Sequence, residues 1–403
     1  MPDEAARPLR IAVLGDFDSV HTRSWLRWFI ERGHEIHAIS FYPPSARLEG
    51  VTQHVLRERG SRATPAVAPP AARRTLRLPR GFMRLAHAVR YRRAGLARVV
   101  WEIEPDVLHA HFLVEHGFYG ATLGFHPYVV TCWGSDVLVE PRRDPVSNLI
   151  ARWAIRRADL LTSNNRYMAR RLHTLGAPAT KVAVITLGAD QYFLDDIEQC
   201  VNMHPDAANM PIVLSTRAHE PLYNVGEIID AFADVRESAP GARLEIAHGG
   251  SQTDALRVRA APLGDAVDFA GVLDRARFRD ALHAAAVFVS VPSSDGTSVA
   301  LLQAMAAGCF PIVSDLPTQR ELIDDGVNGF RVPLHRPDVL ANRLVAALRD
   351  PALRRRAVDL NRAIVEERGL NEREMAKMEA LYYRLAGHPV PAGDETQRDI
   401  LHR

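Results

Sequence analysis

The stretch Val287–Asp315 reads VFVSVPSSDGTSVALLQAMAAGCFPIVSD and identifies the fold of this chain. It opens with a nearly all-apolar run, which is typical of a strand buried on both faces. A loop from Pro292 to Gly296 follows, and a mostly apolar helix then ends at Gly308. The first N–H groups of a helix have no partner within it, and the helix dipole favours negative charge there. This helix start therefore predicts an anion site, formed by the backbone at Gly296, Thr297, Ser298 and Val299.

Two polar side chains accompany that helix start. Asp295 lies at its mouth, and Gln303 follows a little over two helical turns later. The rest of the helix is apolar, so the Gln303 amide requires a polar partner, and leaving it unsatisfied costs about 1–3 kcal/mol. Ribose hydroxyls are one such partner. The alternative is an ordinary capped helix that binds no ligand.

The same alternation of apolar strand and amphipathic helix continues on both sides of this stretch. In the first half, strands are predicted at Leu9–Leu14, Glu35–Phe41, Asp106–His111, Tyr128–Cys132, Leu160–Ser163 and Val182–Thr186. In the second half, they are predicted at Ile212–Thr216, Arg243–His248, Val267–Gly271, Val287–Val291 and Phe310–Ser314. This alternation predicts an α/β fold with two doubly wound Rossmann-like domains facing each other across a cleft.

Domain boundaries follow from composition. The stretch from Gly188 to Pro211 is rich in Asp, Asn and Pro, which favours a linker. We therefore predict an N-terminal domain at 1–190, a linker at 191–210 and a C-terminal domain at 211–370. Residues 371–403 are predicted to form a final helix and tail, with the helix packing back on the N-terminal domain.

Composition limits the function classes that are open. The chain has 403 residues, 47% of them hydrophobic, which is enough for two cores of ordinary domain size. Its net charge of +2 is too small to indicate nucleic acid as a partner. The three cysteines lie far apart and match no metal-ligand or disulfide spacing. With no long apolar stretch, the chain is expected to be cytoplasmic, or attached to the cytoplasmic membrane face.

One segment departs from the alternation. Arg57–Arg98 contains twelve arginines and several prolines, with a helix predicted from Phe82 to Glu102. Five of its arginines are candidates for contact with an anionic lipid surface or a phosphorylated acceptor: Arg84, Arg90, Arg92, Arg93 and Arg98. The alternative is a solvated helix face in an arginine-rich protein.

The stretch around Asp295 resembles the donor-site motif of family 4 glycosyltransferases of the GT-B fold. In that motif two acidic residues are separated by seven others and precede an Ala-Met-Ala-x-Gly run. The frame is present here from Ala304 to Gly308, with Gln303 in place of the second glutamate and Asp295 in place of the first. The resemblance implies that Asp295 contacts the donor sugar and that Gln303 holds the ribose of a nucleotide sugar.

Further matches lie at the start of the second domain. The family places a diphosphate-binding arginine at the end of its first strand, which corresponds to Arg217. A bidentate cation at this place stabilises charge on a departing nucleotide. The lysine that normally follows is replaced here by Leu222 or Tyr223, and His219 is a candidate to assist. A surface salt bridge is the alternative role for Arg217.

In the first domain, Thr131–Asp136 resembles the Thr-x-His-Gly-x-Asp loop of the family, with Trp133 in place of a histidine that contacts the donor sugar. A tryptophan can stack on a sugar face. Asp136 is predicted either to be catalytic or to hold its loop. His111 is predicted as a catalytic residue and His109 as a second candidate, with structural roles as the alternative.

Two weaker matches complete the comparison. The loop Gly15–His21 corresponds to a glycine-rich loop that lines the acceptor side, which makes Gly15, Asp18, Ser19 and His21 acceptor-side candidates. Helix capping explains Asp18 or Ser19 equally well. Glu321 matches a family segment beside the donor site.

The resemblance implies a retaining transfer of a sugar from a nucleotide sugar to a glycan, lipid-linked or small-molecule acceptor, with no metal and no further cofactor. Two alternatives stay open because fold does not fix reaction. One is a nucleotide-sugar epimerase of the same fold. The other is a catalytically silent relative that serves as a binding subunit in polysaccharide assembly.

Overall fold

The computed structural model describes residues 7–56, 80–203 and 210–391, with the backbone alone for 80–88. The chain divides into two compact units. Unit 1 comprises Met1–Ser163, Ala169–Val184 and Met375–Arg403. Unit 2 comprises Asn164–Met168 and Ile185–Glu374.

Unit 1 is built on a parallel sheet that, in the described residues, has seven strands. They are β1 (Arg10–Leu14), β2 (Glu35–Ser40), β3 (Thr52–Val55), β4 (Val107–His111), β5 (Tyr128–Cys132), β6 (Leu160–Ser163) and β7 (Val182–Val184). Their order in the sheet is β3-β2-β1-β4-β5-β6-β7. Every residue of β4 and β5 is buried, as expected for central strands covered by helices on both faces.

The helices connecting these strands are mostly amphipathic. They are α1 (Val20–Glu31), α2 (Arg80–Ile103), α3 (His116–Ala121), α4 (Ser135–Leu138), α5 (Glu140–Arg143), α6 (Pro145–Arg157) and α7 (Arg166–Thr174). On α1 the residues Trp25, Leu26 and Phe29 are buried and form its apolar face. None of the helices in the described part of the chain combines the length and apolar character that a membrane crossing requires.

Unit 2 repeats this architecture with a six-stranded parallel sheet among the described residues. Its strands are β8 (Ile212–Ser215), β9 (Arg243–Ala247), β10 (Val267–Gly271), β11 (Ala285–Ser290), β12 (Phe310–Ser314) and β13 (Phe330–Val332), in the order β10-β9-β8-β11-β12-β13. Its helices are α8 (Val225–Ser238), α9 (Thr253–Ala260), α10 (Arg275–Ala284), α11 (Val299–Ala306), α12 (Pro337–Arg349), α13 (Pro351–Arg368) and the start of α14 (Asn371–Leu385). The predicted fold class of two doubly wound Rossmann-like units is confirmed.

Two edge strands, β3 and β13, were not predicted. β3 has the sequence TQHV, and its side chains are half-buried or exposed, so its hydrophobic pattern is weak. β13 is three residues long. Short, partly polar strands are typical of sheet edges, where pairing on one side replaces burial on both.

The predicted linker at 191–210 is part of unit 2 as far as Met203. Phe193 and Leu194 are buried in the core of that unit. The Asn202 side chain donates to the carbonyls of Ala286 and Gly308, at 2.9 and 3.0 Å. The abundance of Asp, Asn and Pro therefore marks short helical turns packed on a domain here, rather than a free connection.

The last helix returns to the beginning of the chain. Within unit 1, the Glu379 carboxylate of α14 accepts hydrogen bonds from Trp28 Nε1 at 2.9 Å and contacts His34 Nε2 at 3.0 Å. Tyr383 Oη donates to the carbonyl of Arg7 at 2.9 Å. These contacts attach the last helix to α1 and to the residues that precede β1 and β2.

The arginine-rich segment is described in part. Outside the described residues lie 57–79, 392–403 and the side chain of Arg84. On α2, Arg92 donates to Tyr42 Oη at 2.9 Å and lies over aromatic rings. Arg93 donates to a backbone carbonyl, and Arg98 forms an i,i+4 pair at 3.8 Å. Arg92 and Arg93 thus donate hydrogen bonds to other parts of unit 1, although Arg93, like Arg90, is exposed.

Candidate active site

Both sheets contain a reversal of strand order, and the reversal decides where polar loops meet. In unit 2, β8 and β11 are neighbours although β9 and β10 separate them in the chain. Ligands of doubly wound sheets bind at such reversals, beyond the carboxyl ends of the strands. The loops after β8 and β11 are joined there, since Ser293 N donates to the Leu222 carbonyl at 2.9 Å and Asn224 Nδ2 to that of Val291 at 2.9 Å.

Arg217 lies in the loop after β8 and is contacted by three side chains. Its Nη1 donates to Ser298 Oγ at 2.7 Å, and its Nη2 forms an ion pair with Asp295 Oδ2 at 3.0 Å. The guanidinium carbon lies 4.3 Å from the centre of the Tyr223 ring. The Arg217 side chain is 11% exposed. The structure thus brings together three residues that the sequence assigned to the donor site, and adds Tyr223.

Asp295 is nearly buried, with a side chain 17% exposed. Burial raises the pKa of its carboxyl, and the charge of Arg217 and the N–H of Gly296 oppose that rise without cancelling it. Thr318 Oγ1 donates to its backbone carbonyl at 3.0 Å. In this arrangement the partner of the carboxylate is Arg217, and its predicted contact with a donor sugar stays a prediction.

The start of α11 has the form that the sequence predicted. Ser298 is the N-cap, and its hydroxyl accepts from the N–H of Leu301 at 3.3 Å. Gly296 is buried, and Val299 begins the helix with its N–H free of any partner inside it. Thr297 Oγ1 donates to the carbonyl of Asn164 at 2.9 Å and accepts from Asn165 Nδ2 at 3.2 Å, so this side chain holds the loop.

Three polar atoms at the end of β8 have no hydrogen-bond partner in the described structure. They are Ser215 Oγ, Thr216 Oγ1 and His219 Nε2. The residues Ser215 and His219 are at most 1% exposed. Buried polar atoms without partners are rare and each costs about 1–3 kcal/mol. Their concentration beside Arg217 indicates a place where a polar ligand supplies the missing bonds.

The hydrogen bonds of His219 leave one ring nitrogen without a partner. Its Nδ1 lies 2.9 Å from Thr253 Oγ1, and its buried Nε2 has no hydrogen bond in the described structure. Burial lowers the pKa of His219, which favours the neutral ring. In one tautomer Nε2 accepts from a hydroxyl, and in the other it donates to a phosphate oxygen, so the predicted assistance to a diphosphate stays a prediction.

The side chains of Gln303 and Glu321 differ in their hydrogen bonds. Gln303 is half-buried on α11, and its side-chain amide has no hydrogen bond within the described residues. It can therefore still bind ribose hydroxyls as predicted. The Glu321 carboxylate instead accepts from the backbone N–H groups of Arg166 and Tyr167, at 3.0 and 2.6 Å. Glu321 thus caps the start of α7, and this engagement opposes its predicted donor contact.

In unit 1, Asp136 is fully buried and bonded to the backbone. Its Oδ2 accepts from Leu113 N at 2.8 Å, and its Oδ1 from Trp133 N at 3.1 Å and Gly134 N at 2.9 Å. Burial raises the pKa of this carboxyl, although the three N–H groups act against the rise. Asp136 has no surface left for a substrate. The predicted catalytic role is corrected to the alternative, that of holding the loop.

The two histidines of β4 differ in their hydrogen bonds. His109 is fully buried between Thr131 Oγ1, at 2.7 Å from its Nε2, and Tyr382 Oη, which contacts its Nδ1. Burial lowers the pKa of His109 to about 3, so the ring is neutral. His111 contacts Thr22 Oγ1 at 3.2 Å through Nδ1, while its buried Nε2 has no partner among the described residues. His109 is structural, whereas His111 retains one unused ring nitrogen.

A pair of stacked rings follows β5 in unit 1. His21 lies with its ring centre 5.2 Å from that of Trp133 and at 20° to it, and His21 is exposed. Trp25 meets Trp133 edge-on at 5.9 Å, and His111 does so at 5.3 Å. The structure therefore brings together His21, Trp133 and His111, which were predicted from three separate motifs.

The remaining acceptor-side candidates lie on the loop after β1. Asp18 accepts from Ser45 N and Ser45 Oγ, at 2.9 and 2.6 Å, and these bonds lower the pKa of its carboxyl. Ser19 occupies the N-cap position of α1, but its hydroxyl makes no capping bond. Gly15 donates its N–H to the carbonyl of Ile39. Asp18 is thus engaged in holding its loop, and the Ser19 hydroxyl is not used as a cap.

Two bulky residues that directly follow strands have positive φ angles. Phe112, after β4, has φ 80°, and His248, after β9, has φ 83°. Such conformations cost on the order of 1–3 kcal/mol and concentrate at functional sites. Both mark the carboxyl ends of the strands, where the candidate residues also lie.

The sequence analysis did not predict a role for Tyr223 or for the hydroxyls of Ser215 and Thr216. Tyr223 stands there only as a substitution for a lysine. A signal for Ser215 and Thr216 was present, because two hydroxyl residues end an otherwise apolar strand. Within the described residues, no group of three or more His, Cys, Asp or Glu side chains is arranged to hold a metal ion. The metal-independent chemistry that the resemblance implies stays a prediction.

Comparison with protein families gives two matches that follow one another along the chain. Residues 10–165 match the family described as "Glycosyl transferase 4-like", and residues 201–363 match "Glycosyl transferases group 1". The first match ends close to the end of the unit 1 sheet, and the second contains Arg217 and Asp295.

Two relatives show how the similarity is distributed. A phosphatidyl-myo-inositol mannosyltransferase of Mycobacterium tuberculosis is 34% identical over 155 residues, which cover 37% of this chain and 40% of that protein. The alignment thus spans less than half the length of that relative. An N-acetyl-alpha-D-glucosaminyl L-malate synthase of Bacillus anthracis is 24% identical over 296 residues, 72% of this chain and 77% of that protein.

Solved structures share the fold over nearly the whole chain. Anabaena HepE in complex with UDP superposes with a TM-score of 0.72 at 17% identity, covering 94% of this chain and 100% of that one. Sucrose-phosphate synthase from Thermosynechococcus elongatus gives a TM-score of 0.72 at 18% identity, covering 94% and 99%. The family matches and this shared architecture agree with the motif around Asp295. The chain belongs to the family 4 glycosyltransferases of the GT-B fold.

Proposed function

We propose that the protein transfers a sugar from a nucleotide-sugar donor to a glycan, lipid-linked or small-molecule acceptor, with retention of anomeric configuration. The observation that carries this proposal is the cluster at the strand reversal of unit 2. There Arg217 contacts the start of α11, and residues within two positions of Arg217 in the chain carry three buried polar atoms that have no partner in the described structure. A diphosphate with an attached ribose and sugar would supply negative charge for Arg217 and hydroxyl groups for the polar atoms that have no partner.

The chemistry assigned to unit 2 is stabilisation of the leaving nucleotide. When the bond from the anomeric carbon to the diphosphate breaks, negative charge increases on the phosphate oxygens. The Arg217 guanidinium and the N–H groups at the start of α11 oppose that charge from fixed positions, which lowers the barrier. The acceptor hydroxyl forms the new bond to the anomeric carbon, and its proton goes to a phosphate oxygen of the donor.

Unit 1 is proposed to contact the acceptor through rings rather than charges. The exposed His21 and the partly exposed Trp133 present a stacked aromatic surface, and such surfaces pack against sugar faces. The unused Nε2 of His111 lies in the same ring cluster and is available for a hydroxyl. Asp136 contributes by holding the loop that carries Trp133.

The donor is proposed as a nucleotide sugar without naming its base or sugar. The relatives favour such a donor, since Anabaena HepE has been solved with UDP and with UDP-glucose, and two relatives are named as transferases or synthases of glycosyl products. These names favour transfer over epimerisation or a silent binding role.

The test is mass spectrometry of nucleotide sugars retained by the purified protein, followed by incubation of the retained donor with and without candidate acceptors. Transfer predicts a glycosylated product that appears only with an acceptor. Conversion of the free donor without acceptor would indicate an epimerase. Donor binding with no product from any acceptor would indicate a binding subunit. If no nucleotide sugar binds at millimolar concentration, the proposed enzymatic function is refuted.

Peripheral contact with an anionic membrane through Arg57–Arg98 and a cytoplasmic location are kept as proposals. Arg90 is exposed on α2, and Arg98 is exposed beside it with a weak pair to Glu102. Basic residues on a helix contribute about 1 kcal/mol each to binding an anionic surface. Co-sedimentation with phosphatidylglycerol vesicles, compared with phosphatidylcholine vesicles and with an Arg90→Ala, Arg98→Ala variant, tests the contact.

A further inference from the structure

We infer that Tyr223 is a positioning residue that holds Arg217 for the donor diphosphate, in place of the lysine usual in the family. The inference rests on the proposed function, because it concerns how the same donor site binds its anion. It starts from an unusual combination, a cation that lies over an aromatic ring while its two terminal nitrogens contact neighbouring polar side chains.

The ring contact is close enough to matter. The Arg217 guanidinium carbon lies 4.3 Å from the Tyr223 ring centre, within the distance of about 6 Å at which a cation is attracted to an aromatic face. The Tyr223 ring packs against the hydrophobic core of unit 2. The guanidinium is therefore supported by a ring that is itself held by the core.

The edge of the guanidinium is fixed by two other contacts. Nη1 donates to Ser298 Oγ at 2.7 Å, and Nη2 pairs with Asp295 Oδ2 at 3.0 Å. Both partners belong to the loop and helix start after β11, whereas Tyr223 belongs to the loop after β8. Together the three contacts fix the plane and the direction of the guanidinium. A planar fork of this kind binds phosphate oxygens bidentately when it is fixed in advance.

The position of Tyr223 is set by the backbone of its own loop. Pro221 begins a short turn, in which Tyr223 N donates to the Glu220 carbonyl at 3.0 Å. Asn224 follows with φ 52°, a left-handed conformation that asparagine tolerates. Its Nδ2 donates to the Val291 carbonyl at 2.9 Å and to Ser293 Oγ at 2.8 Å. The tyrosine is thus placed by bonds that also fasten the neighbouring loop.

Arg217, positioned by the Tyr223 ring, would then bind the diphosphate without a lysine. Elsewhere in the family an arginine and a lysine share this role. A lysine ammonium at this position would add charge but would not cover the guanidinium face. The ring adds no charge and instead restricts the motion of Arg217. The expected consequence is that the diphosphate, and not the nucleoside, depends on the ring.

The test compares nucleotide and nucleoside binding by isothermal titration calorimetry. UDP and GDP are titrated into wild type, and the one that binds is titrated into Tyr223→Leu and Tyr223→Phe, each alongside uridine or guanosine. Tyr223→Leu is expected to weaken binding of the diphosphate about tenfold, as for loss of a partly desolvated cation–π contact, and to leave nucleoside binding unchanged. Tyr223→Phe keeps the ring and is expected to stay within about threefold of wild type.

Thermal denaturation of both variants separates positioning from folding. If Tyr223→Leu melts far below wild type, Tyr223→Met, which keeps an apolar side chain of similar length, replaces it in the comparison. Equal loss of nucleoside and nucleotide binding, or UDP binding by the ring-free variant at the wild-type level, would overturn the inference while the proposed function stands. If neither nucleotide binds to wild type, ADP, CDP and dTDP are titrated in the same way, and no binding of any of these nucleotides would overturn both.

Discussion

The strand reversals of the two units share a topology but differ in how far their polar groups are satisfied. In unit 1, His109 is bonded at both nitrogens and Asp136 at both oxygens. In unit 2, Ser215, Thr216 and His219 each leave a buried atom without a partner in the described structure. The polar groups of His109 and Asp136 are thus fully bonded in unit 1, whereas residues next to Arg217 in unit 2 leave three atoms without a partner. His111 Nε2, at the end of β4, is likewise without a partner in the described structure.

This difference teaches which residues of a family motif can act on a ligand. Polar groups whose hydrogen-bonding capacity is filled by the protein are expected to govern stability, since replacing them leaves buried partners unbonded. Arg217 is not such a group, because its contacts with Ser298 and Asp295 use two of the five N–H groups of a guanidinium. Polar groups left unsatisfied are expected to govern binding, since a ligand completes them. Unit 1 also contains buried nitrogens without a partner in the described structure, at His111 Nε2, His116 Nδ1 and Arg171 Nε, and His111 lies in the ring cluster with Trp133.

The largest expected effect is that of Arg217→Ala on catalysis. Loss of a preorganised donor to developing phosphate charge is expected to lower kcat/KM about 10³-fold. It also leaves the carboxylate of Asp295 buried without its cation, so the melting temperature is expected to fall. The double variant Arg217→Ala, Asp295→Asn removes that charge and is expected to regain thermal stability without regaining turnover. Kinetics and calorimetry on the two variants check this, and unchanged turnover in Arg217→Ala would place the diphosphate elsewhere.

Asp136→Ala in unit 1 is expected to reduce stability more than turnover. Three backbone N–H groups lose their acceptor, which is expected to reduce the free energy of unfolding by about 3 kcal/mol. Turnover per folded molecule is expected to fall by less than about tenfold, because the side chain reaches no substrate. Urea denaturation and kinetics at low temperature measure both quantities. A loss of turnover comparable to that of Arg217→Ala in a stably folded variant would restore the catalytic role predicted from sequence.

A pH-dependent contribution is expected from the last helix. Burial alone would raise the pKa of Glu379, but hydrogen bonds from His34, Arg32 and Trp28 outweigh burial and lower it. A carboxyl with a lowered folded-state pKa stabilises above its unfolded pKa and loses that contribution as pH falls through the folded value.

Replacing Glu379 with Gln is therefore expected to cost about 2 kcal/mol near neutral pH, since the bonds lost include charged ones. The difference from wild type should shrink as pH decreases through the acid range. Urea denaturation at a series of pH values measures it. A constant difference at all pH values would show that the charge of Glu379 is not what holds α14.

Much of the fold was predictable because buried parallel strands leave continuous apolar runs. β5, β6, β10 and β12 have the predicted bounds, whereas the edge strands β3 and β13 have too little apolar pattern to be recognised. The stretch around Phe193 shows the limit of composition, since polar residues at turns hide a buried side chain between them.

The position of the site was predictable from the sequence, but the contacts among its residues were not. The motif located Arg217 and Asp295, yet their ion pair depends on the adjacency of β8 and β11, which no local pattern encodes. The roles of Asp136 and Glu321 depended on which backbone N–H groups lie within reach of each carboxylate, and such distances are fixed only by tertiary structure. Tyr223 was visible as a substitution, but its contact with Arg217 was not.

The smallest expected effect tests a donor-site residue that the structure has reassigned. Glu321→Gln keeps one oxygen for the N–H groups of Arg166 and Tyr167 and removes the charge at the start of α7. The expected cost is about 0.5–1 kcal/mol of stability, with the KM for the donor within about twofold of wild type. Gln303→Ala is the matched comparison, because its amide is uncommitted and its loss is expected to raise that KM about tenfold. A KM raised more by Glu321→Gln than by Gln303→Ala would show that unsatisfied polar groups do not mark the donor site, and the contrast between the two units would lose its meaning.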